Sequence, residues 1–450
     1  MRTKCKWMLS IAVVLLAVVV SLPPAFGMDD VTAAHPTEKQ PSNSRIPLQR
    51  LADSSKILSV EDAVRIGLQN NPQIAAGLAG VASAKASYRA LASPNTIDLT
   101  ATRVQGTSTA PTLNGDTSDT ILDVGTTFDV SGQRRYQAAG AKSQFGATKY
   151  TLDETKLALT QQIRDAYWSL AAARAQTLIA QEILKDVEHV HELTQIQEKA
   201  GAAPKVDVIR SSIDVANSEQ AKVTAEAAEA AALSAFNVVI GRPPLAPVEL
   251  VDKLTETNAA QVSLPDLPSL DDLTKKALAQ RPLVKSAREQ VLVADYSIKQ
   301  NRASQFPDLS VDYERSVQQS QPADSVVLVM KLPLLDLGSI RQSIKAASET
   351  KKQAIAQQTQ AEQQVSQQVA QAYTDYTVAR KQATSYFSQI LTPSIGLLGI
   401  AELGYKQGAT GILPVIDAET TLRNARNGYV NALLALYKAR DEIDAATGRP

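Results

Sequence analysis

The chain contains two copies of one sequence pattern, and this internal repeat restricts the possible folds more than any other feature. The triplet Gly-Arg-Pro occurs twice, and Gly448 lies 207 positions after Gly241. The matching pieces keep their order, and their offset stays between 206 and 210. Such a constant offset does not arise by chance, so the sequence predicts one structural unit built twice. The matched pieces include Pro72 with Pro282, SGQRRYQAAGAK with LGSIRQSIKAAS, and AYWSLAAAR with AYTDYTVAR.

Each copy begins with the signals of a helix pair. Ser59 and Ser269 stand just ahead of acidic residues, which is the pattern of an N-cap followed by acids at the positive end of the helix dipole. Pro72 and Pro282 then interrupt the pattern, because proline does not continue a helix. Further on, residues 135–199 contain no proline and carry apolar residues spaced by four and three. This spacing predicts a single coiled-coil helix roughly 100 Å long.

Between the helix pair and the long helix, apolar and polar residues alternate with a period of two. This alternation predicts a β-hairpin in each copy, with polar loops at residues 105–119 and 318–324. Strands of about ten residues fit a tilted membrane crossing. The alternating apolar residues are therefore candidates for a lipid-facing surface: Leu122, Val124, Phe128, Val326, Leu328 and Met330.

The first 27 residues have the layout of a secretory signal peptide. Arg2, Lys4 and Lys6 precede an apolar run that is short for a membrane-spanning helix, and Ala25-Phe26-Gly27 forms a cleavage site. Cleavage would remove Cys5, the only cysteine, so we expect no disulfide in the exported chain. The chain carries 46 basic and 46 acidic residues, a balance that lacks the basic footprint of a nucleic-acid partner.

A sheet of four strands cannot close on itself, and an open edge is not tolerated in lipid. Four strands from each of three chains would make a closed barrel of about twelve strands, whereas a dimer would make a small, filled barrel of about eight. The strand number therefore favours a homotrimer.

The pattern as a whole resembles the TolC-like outer-membrane efflux proteins. The resemblance rests on the helix opener LSVEDAVRIGLQNNPQI, the strand-to-helix junction LPLLDLGSIR, the tip segments EKAGAAPKVDVIRS and LGYKQGATGILPVIDAETTL, and the terminal Gly-Arg-Pro. We divide the chain accordingly: signal peptide 1–27, N-terminal linker 28–57, first efflux repeat 58–243, inter-repeat linker 244–268, and second efflux repeat 269–450.

The resemblance implies a mainly α-helical protein with a small β part. In this family three chains form a 12-stranded β-barrel in the outer membrane of a Gram-negative bacterium, continued by an α-helical barrel in the periplasm. It implies contact with outer-membrane lipid, a periplasmic adaptor (membrane fusion) protein and an inner-membrane pump, in a tripartite efflux or type I secretion system. It implies a conduit without chemistry, and therefore no catalytic residue, cofactor or metal.

The resemblance also implies a candidate periplasmic gate at Asp207, Asp417 and Tyr405. Threefold symmetry would bring three copies of each acid near one axis, where crowded carboxylates attract cations. The alternative is that each acid is a solvated residue in the first turn of a helix, favoured by the helix dipole, and that Tyr405 packs between helices. Pro414 stands where the family has a second gate aspartate.

Small residues mark the predicted turns of the two long helical hairpins. Their first role is to end a helix, and by resemblance the same tips dock the adaptor. The candidate tip residues are Gly201, Ala202, Gly408 and Ala409.

The sequence gives little support for a metal site, an enzyme or an adaptor protein. His189 and His191 are two positions apart, so they do not face each other on a helix, and we expect an exposed helix face there instead of a metal site. The motifs of zinc proteases, α/β-hydrolases and P-loop NTPases are absent. The alternative is a periplasmic coiled-coil adaptor or a structural protein without a pore, but an adaptor would lack the two β-hairpins. The sequence leaves open whether the pump serves drugs, metal ions or proteins.

We predict that the exported chain begins near Met28, because the small residues Ala25 and Gly27 form the cleavage site. Intact-mass spectrometry of the protein purified from its membrane checks this. A mass that includes Met1 and the apolar run would show that the segment is retained.

Overall fold

The computed structural model describes residues 57–93, 97–108, 115–254, 267–318, 321–331 and 338–449. The predicted signal peptide, the N-terminal linker up to residue 56 and residues 255–266 of the inter-repeat linker lie outside the described residues. Within them the chain is mainly helical with a small β part, which confirms the coarse fold class. Among the described helices, none combines the length and the apolar composition needed to span a membrane.

The same order of elements occurs twice along the chain. The elements of the first half are β1 (Ile57–Leu58), α1 (Val60–Asn70), α2 (Pro72–Ala92), β2 (Asp98–Ser108), β3 (Gly115–Phe128), α3 (Gln133–Lys199) and α4 (Lys205–Val239). The elements of the second half are β4 (Glu249–Leu250), α5 (Leu270–Gln280), α6 (Pro282–Ala303), β5 (Asp308–Gln318), β6 (Gln321–Lys331), α7 (Ser339–Tyr386), α8 (Thr392–Lys406) and α9 (Leu413–Ala446).

The predicted helix starts are confirmed by their hydrogen bonds. Ser59 Oγ accepts the backbone N–H of Asp62 at 3.2 Å, and Ser269 Oγ accepts that of Asp272 at 3.2 Å. Each cap satisfies an N–H group that has no partner within the helix. Both helix pairs break immediately before a proline that starts the second helix.

The long helices of the two halves differ. Helix α3 is continuous over 67 residues, as predicted. In the second half, a π-helical turn at Phe387–Leu391 separates α7 from α8, two residues before Pro393. Proline lacks the N–H that would continue the ladder, and a wider turn accommodates the missing bond. The Thr392 hydroxyl donates to the Phe387 carbonyl at 3.0 Å and satisfies one of the displaced groups.

One antiparallel sheet joins the two halves in the order β2-β3-β5-β6. The pairing of β3 with β5 connects the copies, with Val124 opposite Tyr313. The predicted loops are mostly wrong: β2 and β3 pair as far as Ser108 with Gly115, and β5 and β6 pair as far as Gln318 with Gln321. Backbone pairing extends a hairpin regardless of side-chain polarity, and an argument from apolar alternation overlooks polar strand residues.

Residues directly opposite each other in an antiparallel pair point to the same side of the sheet. The register therefore places all six candidate lipid-facing residues on one face, which also carries Leu99, Ala101, Leu309, Val311 and Tyr313. The opposite face carries Asp98, Thr100, Thr102, Asp123, Ser310, Asp312, Glu314 and Ser325. The sheet is thus mainly apolar on one side, which also carries Arg315 and Asp324, and mainly polar and acidic on the other, which also carries Ile121, Val327 and Val329.

The main core lies around the middle of α3, where both halves contribute side chains. Tyr167 packs edge-on against Phe236, and Trp168 stacks on Tyr437 with ring centroids 4.2 Å apart. The Tyr167 hydroxyl also donates to the Asp252 carboxylate at 2.8 Å, beside the parallel β1–β4 pair. From this core to the tip of the hairpin, α3 continues for roughly 40 Å.

The repeated Gly-Arg-Pro has one structural role in both halves. Gly241 and Gly448 adopt left-handed φ angles of 75° and 78° directly after α4 and α9. The following N–H groups, of Arg242 and Arg449, donate to carbonyls five residues back at 2.8 Å each, the Schellman termination of a helix. Each glycine lies against the break between the helices of a pair, Gly241 at Asn70 and Gly448 at Arg281.

We expect Gly448→Ala to destabilise the fold, because an alanine in the left-handed region costs about 1–2 kcal/mol. Gly411→Ala is the matched control, since a methyl group there meets open space and the backbone conformation suits alanine. Thermal unfolding in detergent, followed by circular dichroism, should show a lower midpoint for Gly448→Ala alone. Equal midpoints for the two variants would contradict the role of Gly448 as a glycine required for its left-handed backbone conformation.

Candidate functional site

The two long hairpins end in closely similar turns at the candidate tip residues. Gly201 and Gly408 have φ angles of 75° and 69°, and an added Cβ at either would meet open space. The glycines are therefore needed for their backbone conformation, which ends α3 and α8 as predicted. All four candidate tip residues, Gly201, Ala202, Gly408 and Ala409, are exposed.

The two candidate gate acids occupy different environments. Asp207 lies in the first turn of α4 and is buried, with the Arg210 guanidinium 3.9 Å away. Asp417 is exposed and lies beyond the first turn of α9, which begins at Leu413. Among the described residues, no hydrogen bond or ion pair joins Asp207 to Asp417. The alternative of a solvated first-turn acid is met only in part, since Asp207 lies in a first turn but is buried, and Asp417 is exposed but lies beyond the first turn.

Tyr405 is buried between the hairpins. Its hydroxyl donates to Thr194 Oγ1 at 3.0 Å, and Thr194 in turn donates to the Val190 carbonyl at 2.8 Å. This chain of hydrogen bonds links α8 to α3 inside a small apolar cluster that includes Ile412 and Val415. Tyr405 therefore packs between helices of the two halves close to the tips.

The two histidines also have different environments. His189 is exposed, as predicted, but the prediction of an exposed face is wrong for His191, which is partly buried. Its Nδ1 lies 2.7 Å from Ser211 Oγ across the α3–α4 hairpin, and its Nε2 lies 2.8 Å from the Gln195 side chain. The turn at Gly201 folds α4 back onto this face of α3, a contact that helix spacing alone does not reveal.

A pair of buried carboxyl groups near the tips was not anticipated from the sequence. Asp214 on α4 and Glu419 on α9 are each only 7% exposed, and their side chains are hydrogen-bonded to each other. A signal was present, because Asp214 lies seven residues after Asp207 and thus on the same face of α4. Acids at heptad spacing are usually assigned to a solvated face.

The environment of this pair keeps one proton on it. Burial raises the pKa of Glu419 to about 8, and the neighbouring charges of Asp214, Glu402 and Asp186 act in the same direction. Burial also raises the pKa of Asp214, while the Glu419 hydrogen bond and the Arg423 charge lower it. At neutral pH Glu419 is therefore the protonated donor and Asp214 the accepting carboxylate.

The model of the family described as outer membrane efflux protein matches residues 64–242 and 273–449. The chain belongs to this family. Membership assigns the protein to the outer membrane and its activity to efflux. The two matched segments correspond to the two halves that share one order of elements.

Several curated relatives have similar sequences over most of their length. The cobalt-zinc-cadmium resistance protein CzcC of Cupriavidus metallidurans is 22% identical over 72% of this chain and 75% of the relative. The pyoverdine export outer membrane protein OpmQ of Pseudomonas aeruginosa is 23% identical over 86% of this chain and 85% of the relative.

Solved structures share the fold at low sequence identity. A crystal structure of CusC superimposes with a TM-score of 0.76 at 19% identity, over 87% of this chain and 92% of that one. The open state of the outer membrane channel MtrE from Neisseria gonorrhoeae superimposes with a TM-score of 0.75 at 19% identity, over 87% and 89%.

Proposed function

We propose that this efflux protein acts as a homotrimeric exit channel, in which three four-stranded sheets close into a 12-stranded barrel in the outer membrane. The observation that carries the proposal is the two-sided sheet, mainly apolar on one face and mainly polar on the other, with β2 and β6 at its edges. Edge strands in lipid require partners, and further copies of the chain supply them without altering the register.

The long helical hairpins would continue this barrel as a tunnel through the periplasm. The exposed small residues at the tips, Gly201, Ala202, Gly408 and Ala409, leave the helix ends accessible to a periplasmic adaptor protein, which would join the channel to an inner-membrane pump. Substrate would then pass from the pump to the exterior without a chemical step. The four-stranded sheet and the family membership oppose the alternative of a periplasmic coiled-coil adaptor.

We expect arginine on the apolar face of the sheet to weaken the trimer. Val326 and Leu328 are 72% and 66% exposed in the single chain, and arginine at a lipid position near the bilayer midplane costs about 2–4 kcal/mol. Ser325→Arg is the matched control, because Ser325 lies on the same strand and points to the polar face. Heating in detergent, followed by electrophoresis, measures trimer dissociation.

The outcome separates the two faces. The placement of the apolar face against lipid is supported if the trimers of Val326→Arg and Leu328→Arg dissociate at a lower temperature than the trimer of Ser325→Arg. It fails if all three variants dissociate at the same temperature as the unmodified protein.

At the periplasmic mouth, three copies of Asp417 would surround one axis and hold cations by their summed field. Asp417 suits this role better than Asp207, since it is exposed and Asp207 is buried. Tyr405 would support the closed mouth through its hydrogen bond to Thr194. Pro414 occupies the first turn of α9, where a missing N–H leaves no bond unmade, so an aspartate there is compatible with the helix.

We expect Asp417→Asn to reduce the cation selectivity of the channel and to weaken its block by multivalent cations, because it removes three negative charges from the axis. Pro414→Asp should strengthen both, because it adds a second ring. Single-channel recordings in planar bilayers measure the two properties. Glu219→Gln, which removes an exposed acid farther along α4, is the control. If Asp417→Asn behaves like Glu219→Gln, Asp417 does not line the gate.

A further inference from the structure

Helix α4 carries a stripe of buried polar residues where a helical hairpin ordinarily buries apolar ones. The stripe consists of Asp207, Ser211, Asp214 and Ser218, spaced by four, three and four. This is the spacing of a coiled-coil seam, so all four side chains lie on one face of the helix. Each is less than 10% exposed. The stripe covers about three turns of α4, starting near the tip of the hairpin.

The carboxyl pair is the part of this stripe that reaches the second half of the molecule. Asp214 on α4 meets Glu419 on α9, and Arg423, one turn further along α9, lies 3.5 Å from Ser218 Oγ. The Oε2 atom of Glu419 is buried and accepts no hydrogen bond from an N–H or hydroxyl group of the described residues. The charged groups facing Glu419 from the other helices are Asp186 on α3 and Glu402 on α8. Negative charges therefore surround this glutamate on three helices.

Two adjacent carboxyl groups in such a site hold together only while they share a proton. With one proton, Glu419 donates a charge-assisted hydrogen bond to the Asp214 carboxylate. Without it, two buried negative charges lie side by side, and neither the single Arg423 nor solvent compensates both. We propose that the Asp214–Glu419 carboxyl pair is a proton-dependent contact between the two helical hairpins, closed when it holds a proton and released when it loses it.

The pKa of Glu419 determines the pH range of this effect. An exposed glutamate titrates near pH 4.5, and Glu419 in the packed structure titrates near 8. Between these values the packed form holds a proton that the separated form has released. Raising the pH therefore favours separation by about tenfold for each pH unit in this window, and has no further effect above pH 8.

The pair lies close to the proposed gate, two residues from Asp417 on α9 and seven from Asp207 on α4. In so far as the proposed channel function holds, release of the pair at mildly alkaline pH would loosen the helix that carries the acid ring. The contact itself is a property of the folded chain and does not depend on transport.

Spin labels on the two helices test the proposal directly. Ser212 on α4 and Thr421 on α9 are exposed and lie close in sequence to the pair, so cysteines can replace them. The native cysteine, Cys5, lies in the predicted signal peptide. Double electron–electron resonance on trimers with labelled chains diluted among unlabelled ones then reports the α4–α9 distance from pH 6 to pH 10.

We expect a longer-distance population in the otherwise unmodified protein that grows up to pH 8 and then levels off. Glu419→Gln should abolish the response and keep the short distance throughout. Glu402→Gln is the matched control, because it removes a neighbouring charge but leaves the pair intact. It should retain the response but level off at a lower pH than the unmodified protein, since the Glu402 charge raises the pKa of Glu419. A distance that does not change with pH, or a response that persists unaltered in Glu419→Gln, would overturn the proposal.

A second measurement covers the case in which Glu419→Gln does not assemble. The infrared band of a buried protonated carboxyl group should be present in the unmodified protein at pH 7 and lost above pH 8. Its absence at pH 7 would equally overturn the proposal. Neither measurement requires a conducting pore, so a failure here is distinguishable from a failure of the proposed channel function.

Discussion

Burial of one long face of α3 is the interaction on which the rest of the described structure depends. This helix packs against α1, α2 and α4 of its own half and against α6 and α9 of the other. Removing apolar surface from water stabilises by about 25 cal/mol per Å², and a face buried along most of a long helix provides that area in many small contributions. A chain with only 4% aromatic residues can therefore be held together without a large globular core.

The two halves end their return helices with the same backbone conformation but stabilise the adjoining helix breaks with different side chains. Each return helix ends at a left-handed glycine that lies against the break in a helix pair. In the first half this break holds Asn71, whose side chain accepts the N–H of Gln73 at 2.8 Å. In the second half it holds Arg281, whose buried guanidinium bonds Glu154 at 2.8 Å and the Ala445 carbonyl at 2.9 Å. Duplication thus preserved what the backbone requires and left the polar contacts free to diverge.

The interior changes character from the middle of the molecule towards the tips. Around Tyr167 and Trp168 the helices are joined by aromatic packing. Between Ser218 and the tip, α4 instead buries polar and acidic side chains. Apolar contacts are insensitive to pH, whereas buried carboxyl groups exchange protons with the solvent. The chain therefore combines a mainly aromatic and apolar junction at the level of the core with the carboxyl contact near the tips that we propose to respond to pH. With this arrangement, the helices could separate at the periplasmic tips while the core around Tyr167 and Trp168 stays packed.

The sequence by itself determined the elements whose causes are local. The repeat can be read directly from the order of its matching segments. The capped helix starts at Ser59 and Ser269, the unbroken α3 and the glycine ends follow from neighbours within a few residues, because caps, proline and left-handed glycine act over one turn. Only the tertiary structure decided what α4 and α9 meet when they fold back. The pairing of β3 with β5, the contact of His191 with Ser211, and the carboxyl pair of Asp214 and Glu419 depend on groups 20 to 205 residues away. Packing brings those groups together, and no local pattern specifies which side chain will be opposite.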